Sequence, residues 1–220
     1  MSDMKRKDIK NRLAVQNFKF YLIVLSFVIF LPHKSYSYQP KEGKLSASFG
    51  PFIHHGDFRS RPEAFYDKSR LGWALVTEAV FAEDWALEVG LFYLKKPYLR
   101  ETSERFLIEE LDRLYITTGA RRWWASFFST GFNFFSSFSM GDPVVVASSG
   151  VIDDDFETLA TRDSAAVYGL DLSARFELDL SSRDGIFLDL RYSYSLSSQG
   201  RDEANHMIIG IFYMREIRVK

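Results

Sequence analysis

The sequence predicts an all-β fold: an eight-stranded antiparallel up-and-down transmembrane β-barrel over residues 38–220, preceded by an N-terminal signal peptide over 1–37. Three observations predict it. Apolar and polar side chains alternate with period two in one segment after another. The connections between those segments alternate in length, long then short. The aromatic residues, 21 Phe, 11 Tyr and 4 Trp among 220, are mixed so finely with polar ones that mean hydropathy is slightly negative. Strands that each face two different environments need that mixture.

Bulk properties narrow the function classes. A formal net charge of −1 argues against a protein built to bind nucleic acid, which needs a basic field. The absence of cysteine excludes disulfides, thiolate metal sites and a cysteine nucleophile.

At the N-terminus Lys5, Arg6, Lys7, Lys10, Arg12 and Lys19 precede the apolar run FYLIVLSFVIFL at 20–31. Twelve apolar residues are too few for a spanning helix, which needs roughly 20. A basic flank, a short apolar core and the small residues Ser35 and Ser37 read as a secretory signal cleaved near Ser37; the alternative is an uncleaved anchor. Removing 1–37 takes away seven basic and two acidic side chains and leaves a net charge of about −6.

The segments follow in order. KLSASFGPFI (44–53) and LGWALVTEAVF (71–81) come first, and WALEVGLFY (85–93) gathers Trp85, Leu87, Val89, Leu91 and Tyr93 on one face. RLYITTGA (113–120) precedes SFFSTGFNFFSSFSM (126–140), with Phe128, Phe132, Phe134 and Phe138 on one side and Ser129, Gly131, Asn133, Ser137 and Ser139 on the other. YGLDLSARFELDL (168–180) alternates without a fault: every even position is apolar, and every odd one is Gly, Ser or charged. At 100° per residue a helix would scatter those apolar positions round its whole circumference. GIFLDLRYSYSLSS (185–198) repeats the pattern with Phe187 as the exception, joined through an Asp184-Gly185 turn signal. NHMIIGIFYMREI (205–217) alternates least cleanly.

The connections run long (54–70), short (82–84), long (95–112), short (121–125), long (141–165), short (181–185) and medium (198–204). A soluble β-sandwich gives no reason for that order. A membrane barrel does, with short turns on the periplasmic side and long loops outside. Trp85, Trp123 and Trp124 beside the short turns, and Trp73 near a strand start, fit interfacial girdles; the alternative is tryptophan in a sandwich core.

The hairpin RLYITTGARRWW–SFFSTGFNFFSSF (113–138), with GIFLDLRYSYSLSS and NHMIIGIFYMREI, resembles bacterial outer-membrane barrel domains of the OmpA/OmpX type. The resemblance implies eight strands with both termini in the periplasm, delivery by the outer-membrane assembly machinery, and the lipid bilayer and lipopolysaccharide as surroundings. Such barrels usually end in an aromatic residue, whereas this chain ends Arg218-Val219-Lys220.

Candidate sites follow from parity and hairpin geometry. Residues turning around Glu83 bring Glu78 opposite Glu88. The same geometry centred on Arg183 sets Arg175 and Arg191 beside Glu177 and Asp189, while Arg121 and Asp171 share the polar face. These eight residues are expected to form a plug of charge-assisted hydrogen bonds in the lumen, the alternative being a catalytic carboxylate pair. His54, His55 and His206 gather at the outer rim, where a weak metal site competes with solvated loop histidines. Asp153, Asp154, Asp155 and Glu157 lie in the longest loop and read as a solvated acidic segment, not a calcium loop. Neither metal nor cofactor is expected.

An eight-stranded barrel is filled by its own side chains, so an open channel is not expected. The reading is a non-catalytic outer-membrane barrel acting structurally or through loops whose ligand the sequence does not name. Two alternatives stand beside it. One is a small-ligand barrel with a pocket lined by Phe92, Leu94 and Phe135; the other is a lipid A-modifying enzyme using His206 with Ser197 or Ser198.

Overall fold

The structure is a computed structural model and describes residues 42–56, 69–101, 106–149, 166–181, 183–197 and 205–217, which belong to one compact unit. The expected signal segment, the acidic stretch 153–157 and Ser198 lie outside these residues. Each period-two segment is a strand: β1 (Leu45–Gly56), β2 (Ser69–Ala82), β3 (Trp85–Glu101), β4 (Phe106–Ala125), β5 (Phe128–Ser139), β7 (Val167–Asp179), β8 (Asp184–Ser195) and β9 (His206–Ile217). A further short strand, β6 (Val144–Ser149), was not expected.

All neighbours are antiparallel, in the order β3-β2-β1-β9-β8-β7-β5-β4, and the pairing of β3 with β4 closes the ring. Closure gives eight strands, and β6 lies outside the ring, paired only to the outer part of β4 from Phe106 to Glu110. Barrel closure leaves no sheet edge within the ring, so each backbone donor and acceptor there finds a partner without water.

Of the long connection expected over 95–112, residues 95–101 belong instead to β3 and 106–112 to β4. β3 and β4 stay paired from Trp85–Arg122 up to Glu101–Phe106, so they project past the ends of their neighbours. Alternation is hard to read there because Leu107, Ile108 and Glu109 are buried in succession. Similarly, the short turn expected over 121–125 is strand to Ala125, and the chain reverses at Ser126 and Phe127.

The turn before β8 also differs from the expectation. Ser181 Oγ accepts from the backbone N–H of Arg183 and of Asp184, at 3.2 and 3.1 Å, and Asp184 O receives the N–H of Leu180. The serine hydroxyl therefore makes the turn, and Asp184-Gly185 already belongs to the strand. Arg175 consequently faces Asp189 directly, and Arg191 faces Ser173.

Residues of one parity point into the lumen and the others outward. Outward positions are large and apolar: Phe49, Leu71, Phe132, Leu172 and Ile211 are each more than half exposed. The inner face is polar on β7 and β8, but β1 and β9 line it with Phe52, Ile208, Phe212 and Met214. Both faces of β9 are thus apolar, which explains its poor alternation. Phe187, the exception in β8, points inward and stacks on Phe212 at 5.0 Å. The Phe52 ring lies against Gly72, where a Cβ would come within 2.3 Å of it, so only glycine admits that ring.

Candidate functional site

Three arginines, Arg121, Arg175 and Arg191 from β4, β7 and β8, each at most 1% exposed, meet in the lumen, while Arg113 of β4 is buried apart from them beside Tyr98 and Ser137. Five buried carboxylates meet them: Glu78 from β2, Glu88 from β3, Asp171 and Glu177 from β7, and Asp189 from β8. Strand parity puts every one of these side chains inside, because each stands at an inward position of its strand.

Glu88 is the hub. Its Oε2 accepts from Arg121 Nε at 2.7 Å and lies 3.4 Å from Arg175 Nη2. Its Oε1 accepts from Arg191 Nη2 at 2.7 Å and from Asn133 Nδ2 at 3.2 Å. Glu78 stands directly opposite Glu88 across the β2–β3 pair. Glu78 Oε1 accepts from Arg175 Nη1 at 2.5 Å and lies 3.2 Å from Arg121 Nε. Two facing carboxylates would repel strongly in a dry lumen; the guanidinium groups between them turn that repulsion into a lattice of charge-assisted hydrogen bonds.

Arg191 extends the lattice to Asp189 Oδ2 at 2.5 Å and to Asp171 Oδ1 at 3.1 Å. Neutral donors supply more of the bonds: Ser193 Oγ gives to Asp171 at 2.7 Å, and Trp123 Nε1 gives to Glu177 at 3.2 Å. Arg121 also donates from Nη1 to Ser129 Oγ and from Nη2 to Ser173 Oγ, at 3.0 and 2.8 Å. Apolar rings complete the filling, with the Arg175 guanidinium 3.8 Å above Phe187 and that of Arg191 4.8 Å above Phe92.

The structure therefore brings together all eight residues singled out by parity and spacing. Of the four tryptophans, Trp73, Trp85 and Trp124 point outward, but Trp123 does not belong to a girdle. It is 4% exposed, faces the lumen and packs with Val80 and Ala86. Its position two residues after Arg121 on the same strand was the signal for that placement.

The histidines divide. His54 and His206 meet inside the lumen with ring centroids 4.9 Å apart, and Tyr115 stands 4.9 Å from His206. His55 lies on the exposed side beside Ser69 Oγ at 3.2 Å, so the three do not gather, and among the described residues no three metal-ligating groups converge. Ser197 Oγ accepts from the backbone N–H of Tyr168 at 3.0 Å. Phe92, Leu94 and Phe135, expected to line a pocket, belong to one buried cluster with Tyr115 and Ile208.

The fold and its contents define a class: a closed eight-stranded barrel, apolar outside and filled inside by paired charge. No family model and no curated protein sequence matches the chain. Among solved structures it is similar to the outer membrane protein OprG of Pseudomonas aeruginosa, with TM-score 0.50 and 9% identity over 83% of this chain and 99% of that one. It is also similar to Ail, the attachment invasion locus protein of Yersinia pestis solved with the heparin analogue sucrose octasulfate, with TM-score 0.48 and 13% identity over 79% of this chain and 99% of that one. At such identities the likeness is one of fold.

Proposed function

We propose that this chain is an integral outer-membrane barrel with a plugged lumen, non-catalytic, serving the membrane structurally or acting through the loops at its outer end. One observation carries the reading: the distribution of polarity is inverted. Leu71 and Ile211 are 65% and 59% exposed while Glu88 and Arg121 are fully buried, the reverse of what water selects and what a lipid surround requires. The lattice around Glu88 supports the plug, because an eight-strand lumen is only wide enough for its own side chains.

The bilayer is then the protein's partner, with lipopolysaccharide in the outer leaflet. Fractionation of cells expressing the full chain tests the residence, with heat-dependent gel migration as the sign of a folded barrel. Planar-bilayer recording tests the plug and is expected to show no steady conductance. Recovery in the soluble fraction would overturn the first statement, and stable ion currents the second.

A further inference from the structure

Near the turn that joins β4 to β5, side chains alternate as Arg121 in, Arg122 out, Trp123 in and Trp124 out. The outward arginine is clamped. Its guanidinium carbon sits 4.2 Å from the Trp124 ring and 5.5 Å from the Trp85 ring, on the neighbouring strand directly across from it. Trp124 is itself fixed, its Nε1 donating to Thr130 Oγ1 at 2.8 Å. Arg122 Nε is buried without a hydrogen-bond partner, and among the described residues no carboxylate lies within ion-pair distance of the group. A guanidinium has five N–H donors and cannot shed its charge. Two residues along the same outward face, Leu87 and Phe132 lie across from Ala120, and they, like the two tryptophans, are exposed and apolar.

We propose that Arg122, held between Trp85 and Trp124, binds the phosphate of a glycerophospholipid in the leaflet at the short-turn end of the barrel. The proposal rests on the membrane reading above. Arg122 stands three residues before the end of β4, about 10 Å of strand and less along the tilted barrel axis. That depth lets a long side chain reach the phosphate layer while its stem and the tryptophan rings stay among acyl chains. A phosphate accepts two parallel N–H bonds from the guanidinium fork and supplies the missing counter-charge. Aromatic faces on both sides hold the fork in place, so little side-chain freedom is lost on binding.

Native mass spectrometry tests this on protein purified in detergent from membranes of cells expressing the full chain, with added dioleoyl phosphatidylglycerol or inorganic phosphate. The wild-type protein is expected to retain one phospholipid about tenfold more tightly than Arg122→Gln or Trp124→Leu. Arg215→Gln, which removes an exposed arginine elsewhere, is expected to retain it fully. Heat-dependent migration of each variant shows whether its barrel is intact. Equal retention by Arg122→Gln in an intact barrel overturns this inference and leaves the membrane reading standing. Displacement of the lipid by inorganic phosphate at equal concentration also overturns it, since the site would then take any free anion. A chain that never enters the membrane overturns both.

Discussion

Glu78 and Glu88 face each other on adjacent strands, and two arginines bridge them: Arg121 lies 3.2 and 2.7 Å from the pair, and Arg175 lies 2.5 and 3.4 Å away. Each carboxylate is thus held by arginines from β4 and β7, strands that are not sequence neighbours of both. The charged members of the lattice tie five strands together through the middle of the barrel, where backbone hydrogen bonds join only adjacent strands, and Ser129 and Asn133 add β5 as a sixth.

That relationship makes the network unequal in its members. Glu88 touches all three arginines, so Glu88→Ala leaves three buried positive charges short of a partner. Breaking a buried pair from one side typically costs about 3–5 kcal/mol. Glu88→Ala and Arg175→Ala should therefore both lower the thermal midpoint read by heat-dependent gel migration. Lys95→Ala, removing an exposed partner 3.8 Å from Asp112, should leave it nearly unchanged. Equal midpoints for all three variants would mean the lattice contributes nothing.

Removing charge should also open the lumen, if the lattice is what closes it. The double variant Arg121→Ala/Arg191→Ala takes two large fully buried side chains out of the middle of the barrel. Planar-bilayer recordings are expected to show ion currents for this variant and none for the wild-type protein. Silence from both would place the seal in the aromatic cluster of Phe52, Phe92, Phe187 and Phe212 instead.

Much of this was legible in the sequence, and the parts that were not have definite physical reasons. Glu78 opposite Glu88 followed from a turn centred on Glu83, and the pairing is met because an irregularity between Val80 and Ala82 offsets the two-residue turn at Glu83 and Asp84. The β7–β8 register did not follow, because Ser181 Oγ captures the turn and moves its centre, and a hydroxyl's choice of partner is not written in residue order. The lining of β1 and β9 was hidden for another reason: Phe52, Ile208, Phe212 and Met214 are as apolar as the lipid-facing side chains beside them, so period two carries no contrast. Trp123 was readable and misassigned, since proximity to a turn was weighed above strand parity.

Sidedness is open to a clean chemical test because the chain has no native cysteine. Asp142 lies in the long connection after β5, and Arg183 lies in the tight turn before β8. With long connections outside, a membrane-impermeant maleimide added to intact cells should label Asp142→Cys. It should label Arg183→Cys only after the outer membrane is permeabilised. The opposite pattern would invert the topology.

The outward face gives the sharpest separation between a lipid-embedded barrel and a water-soluble one. Leu172 is 53% exposed in the middle of β7, flanked on the same face by Phe132 and Tyr192 from the strands on either side. In water, Leu172→Arg would trade an exposed apolar side chain for a solvated charge, and stability would change little. In a bilayer the same substitution places a guanidinium against acyl chains, at a cost of about 2–4 kcal/mol near the midplane and much less toward the interface. Leu172→Arg should therefore lower the denaturant midpoint of the barrel refolded in phospholipid vesicles. Leu180→Arg, just beyond the end of β7 at the tight turn, should lower it far less. A depth-independent response, with both variants as stable as the wild-type protein, would mean that lipid does not surround this face.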